Sequence, residues 1–160
     1  MREMTYNRDA AVDYARRWAM GRNPAYYDFE EIGGDCTNFA SQCLLAGAKI
    51  MNYTPVMGWY YRSGNDRTAS WTGVEYLYNF LTTNRSVGPY GHLVPRAQAM
   101  PGDIVQLGDR DGRFYHSPVI TAVKPIILVA THTFDALDRP LDSYLYDVAR
   151  VIHIAGVRNW

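Results

Sequence analysis

The sequence predicts an α+β domain, with N-terminal helices packed on an antiparallel β-sheet. Two observations on the residues carry the α+β assignment. Apolar residues recur at helical spacing through the first half, and from Met100 onward the pattern changes to short runs rich in Val and Ile, separated by turn signals. A doubly wound α/β arrangement is the alternative, disfavoured because strands and helices do not alternate along the chain.

The elements follow in order. Tyr6 to Met20 carries Tyr14, Ala15 and Trp18 at helical spacing, with Asn7 available as a cap and Gly21 to Pro24 as the stop. Asn23 to Gly34 is a loop bearing Pro, Tyr and Gly. It leads into a second helix, Asp35 to Gly47, where Phe39, Ala40, Cys43 and Leu44 form an apolar stripe and Gly47 closes the end. An irregular aromatic stretch runs from Ile50 to Ser70. Thr72 and Glu75 then supply a capping box for a third helix with Val74, Leu77, Tyr78 and Leu81 on one face. Strands are expected over Ile104 to Leu107, Phe114 to Val123, Ile126 to His132 and Val148 to Val157.

Composition bounds the function. At 160 residues with 48% hydrophobic, the chain is sized for one domain, 1–160, with a real core. Sixteen basic residues balance sixteen acidic ones, which disfavours a nucleic-acid partner or an anionic membrane surface. No run approaches the ~18 apolar residues of a membrane span, and the N-terminus lacks the apolar core and cleavage site of a signal peptide. An aromatic fraction of 14% exceeds what a core this small needs, so some rings are expected to line a cleft. Cys36 and Cys43 lie seven residues apart on one helix, about 10 Å between Cα atoms, too far for a disulfide.

Both cysteines therefore require an explanation as thiols. Cys36, in Gly33 to Gln42 (GGDCTNFASQ), begins a helix directly after two glycines. Unpaired N–H groups and the macrodipole at a helix N-terminus stabilise a thiolate and can hold an oxyanion, so a lowered pKa is expected. Cys43, mid-helix on the apolar stripe, reads as core. A thiol nucleophile needs a base, and there are four histidines. His153 lies inside the last strand and His92 in a turn-like segment, both structural or solvated. His116 opens a strand and His132 ends the next, so both fall near one end of a hairpin. A two-residue turn at Lys124-Pro125 would put them on opposite faces, which a three-residue turn or a bulge, for instance at Pro118, would repair. Asp135 is the competing orienter.

Together these residues resemble a family. Asp-Cys-Thr-Asn-Phe-Ala-Ser-Gln after paired glycines, Ser70-Trp71-Thr72-Gly73, Pro101-Gly102-Asp103-Ile104, His116-Ser117, and His132-Thr133-x-Asp135 with Arg139-Pro140-Leu141 look like the amidase-like domain family. That family is similar to NlpC/P60 and CHAP cysteine hydrolases of the papain-like superfamily. The resemblance spans roughly Tyr6 to Val157. It implies a papain-like fold, a Cys36 nucleophile, a His116 base and His132 as third triad member, acting on amide bonds of cell-wall peptides. The spacing of the two histidines is longer than usual in those domains, which keeps Asp135 as the alternative. Tyr26 and Tyr27 fall where a tyrosine often stands near the oxyanion site.

The expected function is a cysteine amidase or peptidase of peptidoglycan, a monomer with no cofactor and no metal, placed at the cell envelope or outside the cell by a route not encoded here. The chain has no C-x-x-C or H-E-x-x-H for zinc, and Cys43 cannot act as a resolving thiol without unwinding the helix. The alternative from another class is an inactive wall- or peptide-binding module, with Gly21 to Tyr27 and Trp59 to Tyr61 as its aromatic platform.

Overall fold

In the computed structural model, which describes residues 1–160, Asn7 opens helix α1 (Arg8–Trp18) by accepting the N–H of Ala10 at 3.0 Å. Helix α2 (Cys36–Ala48) is buried along almost its whole length, packed between α1 and the sheet, and its buried polar residues Thr37, Asn38, Ser41 and Gln42 are hydrogen-bonded. Its end differs from expectation. Lys49, with φ 62°, takes the left-handed closing position, while Gly47 stays inside the helix. Tyr6 crosses over Gly47, where a methyl group would stand 2.5 Å from the Tyr6 ring and 2.7 Å from the Asn7 carbonyl oxygen.

The expected third helix forms as α4 (Val74–Thr83), preceded by a separate helical turn, α3 (Ala69–Thr72), but the capping box does not form. Thr72 Oγ1 accepts from Arg67 Nε and Glu75 pairs with Arg150, so neither side chain is free to cap.

The second half is an eight-stranded antiparallel sheet. Its strands are β1 (Arg2–Met4), β4 (Gly88–Val94), β5 (Ile104–Gly108), β6 (Phe114–His116), β7 (Val119–Ala122), β8 (Leu128–Thr131), β9 (Ala136–Pro140) and β10 (Val148–Asn159). A separate small hairpin, β2 (Tyr61–Ser63) and β3 (Asp66–Arg67), sits in the aromatic stretch. The main path runs β1-β10-β5-β7-β8-β9, with β4 on β10 and β6 on β5. An α+β architecture with an antiparallel sheet and a few helices is thus what forms. His92 lies in β4, directly opposite His153, and not in a turn.

Alternation along the strands splits the core in two. Ile104, Val119, Ala130 and Ile152 face α1, α2 and α4, whereas their neighbours Val105, Ile120, Val129 and Val151 face a second cluster with Leu107 and Leu141. Asp103, fully buried, ties α1 to the sheet. It accepts from Arg8 at 2.7 Å, from the N–H groups of Met100 and Ile154, and pairs with His153 Nδ1 at 3.0 Å.

Part of the expected aromatic platform is core, while Tyr27 is exposed and Tyr26 and Tyr60 are half-buried. Trp59 and Trp71 are fully buried with ring centroids 4.8 Å apart, and Tyr61 is buried beside them. Trp59 Nε1 donates to Ser41 Oγ of α2. A tryptophan this deep stabilises the fold and cannot stack on a ligand. No helix is long and apolar enough to cross a membrane.

One substitution tests the crossing at Gly47. Gly47→Ala should destabilise by about 1–3 kcal/mol in urea denaturation, because the methyl overpacks against Tyr6. In an unobstructed helix interior the same change would stabilise by up to ~1 kcal/mol, so the sign decides.

Candidate active site

Two glycines with positive φ, Gly33 at 86° and Gly34 at 98°, turn the chain into α2. At Gly34 a side chain would also press on Thr133 Oγ1, which accepts the Asp35 N–H. Asp35 occupies the N-cap position but does not cap with its side chain. Its carboxylate turns inward instead, 1% exposed, accepting the Phe29 N–H at 2.8 Å, the Asn38 side-chain amide at 2.8 Å and His132 Nδ1 at 2.5 Å. The first amides of the helix are left uncapped.

Cys36 is the first residue of that helix, and its sulfur lies 3.7 Å from Thr37 Oγ1. The backbone N–H groups of Thr37 and Ser117 face the sulfur. Ser117, fully buried, accepts from Thr37 Oγ1 at 3.4 Å and from Gln106 Nε2 at 3.1 Å. The break between β6 and β7 at Ser117-Pro118 therefore abuts the N-terminus of α2, and it brings the residue next to His116 onto Cys36.

Burial dominates the electrostatics. It pushes the Cys36 thiol up, more than the Thr37 hydroxyl and the two amides pull it down. The expectation of a lowered thiol pKa is corrected accordingly, because Cys36 is only 7% exposed. Burial also pushes His116 down to about 4, with the Arg139 charge adding to the effect. Burial thus favours the uncharged form of each group.

The structure does not bring His132 to His116. The hairpin bulge lies between Ile120 and Ala122, but at the histidine end Val119 faces Ala130 and Ile120 faces Val129. The pairs Leu107–His116 and Ile104–Val119 also keep one register across the Pro118 break. The expected repair is absent, and the two histidines occupy opposite faces. Both ring nitrogens of His132 are engaged, with Asp35 and with the Trp18 carbonyl at 2.9 Å, and the ring stacks 4.2 Å from Phe39. Asp135 is likewise spent, as a two-pronged partner of Arg22. His116 has instead the Tyr144 ring at 6.0 Å and Arg139 nearby.

The remaining expected residues are placed as follows. Cys43 is free and fully buried in the helix-side core. Tyr26 packs on Tyr61 and Trp71, and Tyr27 offers its carbonyl to Asn38, so neither phenol bonds the sulfur. No three His, Cys, Asp or Glu side chains converge to hold a metal ion. Sequence reasoning missed Asp35, Gln106 and Thr37 as site-building residues. The Asp35-x-x-Asn38 spacing was the available signal, since residues three apart meet on a helix face.

The buried pair gives a stability test. Asp35→Ala should cost about 3–5 kcal/mol in a denaturant titration, since it strands His132 and two N–H donors without an acceptor. Asp135→Ala, which removes a more exposed partner of Arg22, should cost under ~1 kcal/mol.

The chain is 32% identical over 140 residues to "Uncharacterized protein YhbB" of Bacillus subtilis (strain 168), covering 84% of this chain and 44% of that protein. The chain thus spans less than half the length of this relative. No solved structure matches. A family sequence model described as "Putative amidase domain" matches residues 5–155, nearly the full length. The chain belongs to this amidase-domain family.

Proposed function

We propose that the chain is a cysteine-dependent hydrolase of amide bonds in peptidoglycan, with Cys36 as nucleophile and His116 as base on a papain-like arrangement of helix and sheet. The observation that carries this reading is the junction at Cys36. A thiol at an uncapped helix N-terminus, faced by two N–H groups, adjoins a strand whose neighbouring residue is a histidine with both ring nitrogens unengaged. The family's amidase name supports hydrolysis of an amide. Peptidoglycan rests on the resemblance of the motifs to cell-wall hydrolases, and it puts the reaction at the cell envelope or outside the cell.

Chemistry starts from the neutral pair. His116 takes the thiol proton as sulfur attacks the scissile carbonyl, and the uncapped amides at the start of α2 receive the oxyanion. His116 then returns the proton to the leaving amine, and water, activated by the same imidazole, hydrolyses the thioester. His132 acts at one remove, by holding Asp35 and so the start of the helix.

Purified peptidoglycan incubated with the chain should yield new amine termini, and the fragment masses identify the bond cut. Cys36→Ala and His116→Ala should each lower the rate by at least ~10²-fold with the fold intact. Cys43→Ser should stay within a few-fold of the parent. Full activity of Cys36→Ala would sink the mechanism.

The pH profile follows from His116. Its folded pKa, about 4, lies below the ordinary 6.5, so folding favours the neutral form. That contribution is fully present above about 6.5 and is lost as pH falls toward 4. The acidic limb of kcat/KM should therefore fall well below pH 6.5, and a limb at 6.5 would contradict a buried His116 base.

A further inference from the structure

Arg139, on β9, has no acidic partner. Its Nε donates to Ser143 Oγ at 2.7 Å, its Nη2 to the Ser143 carbonyl at 3.2 Å, and its guanidinium carbon lies 3.8 Å from the centre of the Tyr144 ring. Ser143 Oγ is itself fixed on the Pro140 carbonyl at 2.7 Å. All of these contacts are neutral. Most other partly buried arginines are compensated: Arg8 by Asp103, Arg22 by Asp135, Arg150 by Glu75 and Arg158 by Glu3; Arg67, on Thr72, the Gly64 carbonyl and the Phe29 ring, is the other one without an acidic partner and lies away from His116.

The uncompensated charge stands on the His116 face. Arg139 lies opposite Val129, which lies opposite Ile120, and His116 lies opposite Leu107. Leu107, Ile120 and Val129 belong to one cluster, against which Tyr144 packs. Tyr144 also approaches His116, with ring centroids 6.0 Å apart. The groups around His116 are thus Arg139 and Tyr144 on one side and Cys36, through Ser117, on the other.

A guanidinium held rigid on an aromatic face presents a planar fork that matches a carboxylate. We propose that Arg139 is the specificity-determining residue of this site, binding a free carboxylate on the amide substrate beside His116. The proposal rests on the amide-hydrolase reading above and narrows it to acidic substrates. A bound carboxylate would neutralise Arg139 and so ease the transfer of the thiol proton to His116.

Two measurements separate this proposal from that reading. The first is an NMR titration of the histidines of the full chain with N-acetylalanine, which carries a carboxylate, or N-acetylalaninamide, which does not. The acid should raise the apparent His116 pKa by about half a unit and the amide should leave it unchanged. Arg139→Gln should start from a higher value and lose the response, while Arg139→Lys should keep part of it. No response to the acid, or an equal response in Arg139→Gln, overturns the proposal whatever the activity. The second compares cleavage of peptidoglycan fragments with free carboxylates and with the same carboxylates converted to amides. A preference of about tenfold or more in kcat/KM for the acid form, lost in Arg139→Gln, is expected, and equal cleavage overturns the proposal. If neither form is cut, the hydrolase reading falls, and the titration alone judges the carboxylate site.

Discussion

A carboxylate deprived of water has to find its full set of donors inside the protein, and Asp35 does so by drawing on three segments at once. The Phe29 N–H comes from the entry loop, the Asn38 amide from α2, and the imidazole of His132 from the end of β8. His132 extends the chain of bonds to the last turn of α1 through the Trp18 carbonyl. Moving any of these segments would leave a buried charge underbonded, so the network fixes the place where α2 begins. Because the carboxylate is committed inward, it does not cap its own helix, and the helix start remains open for the sulfur and for an incoming oxyanion. The positive φ angles of Gly33 and Gly34 are what allow the chain to reach this position.

The sheet contributes the second half of the site through its period of two. Successive residues of β5, β7, β8 and β10 supply two cores, one under the helices and one on the far face. The interruption at Ser117-Pro118 is where the sheet meets the start of α2. There a backbone amide and a serine hydroxyl touch the Cys36 neighbourhood, while His116 keeps the parity of the far face, with Tyr144 and Arg139. In the proposed mechanism, His116 and Cys36 would come from opposite faces of the sheet and act at this broken edge.

Desolvation sets the electrostatics there. Burial raises the Cys36 thiol and lowers the His116 imidazole, so it favours the uncharged form of each. In the proposed mechanism proton transfer then accompanies attack, and a carboxylate arriving with the substrate would find in Arg139 a guanidinium without an acidic partner.

How much of this was legible in the sequence depends on range. Local patterns determined the helices at Arg8–Trp18 and Cys36–Ala48, the change to strands after Met100, and Cys36 at a helix start after two glycines; His116 lies on a strand as expected but closes β6 and does not open a strand. These are properties of a few consecutive residues, for which backbone propensity and apolar spacing suffice. The tertiary structure alone decided the ends and the partners. Gly47 stays helical because Tyr6 crosses it, Thr72 and Glu75 do not cap because Arg67 and Arg150 claim them, and Trp59 is core because Ser41 and Trp71 surround it. His132 looked equivalent to His116 in the sequence, yet the hairpin register sends it to the other face to serve Asp35. Register and burial are set by contacts between residues far apart in the chain, and those contacts, through desolvation, also fixed the direction of both pKa shifts at the site.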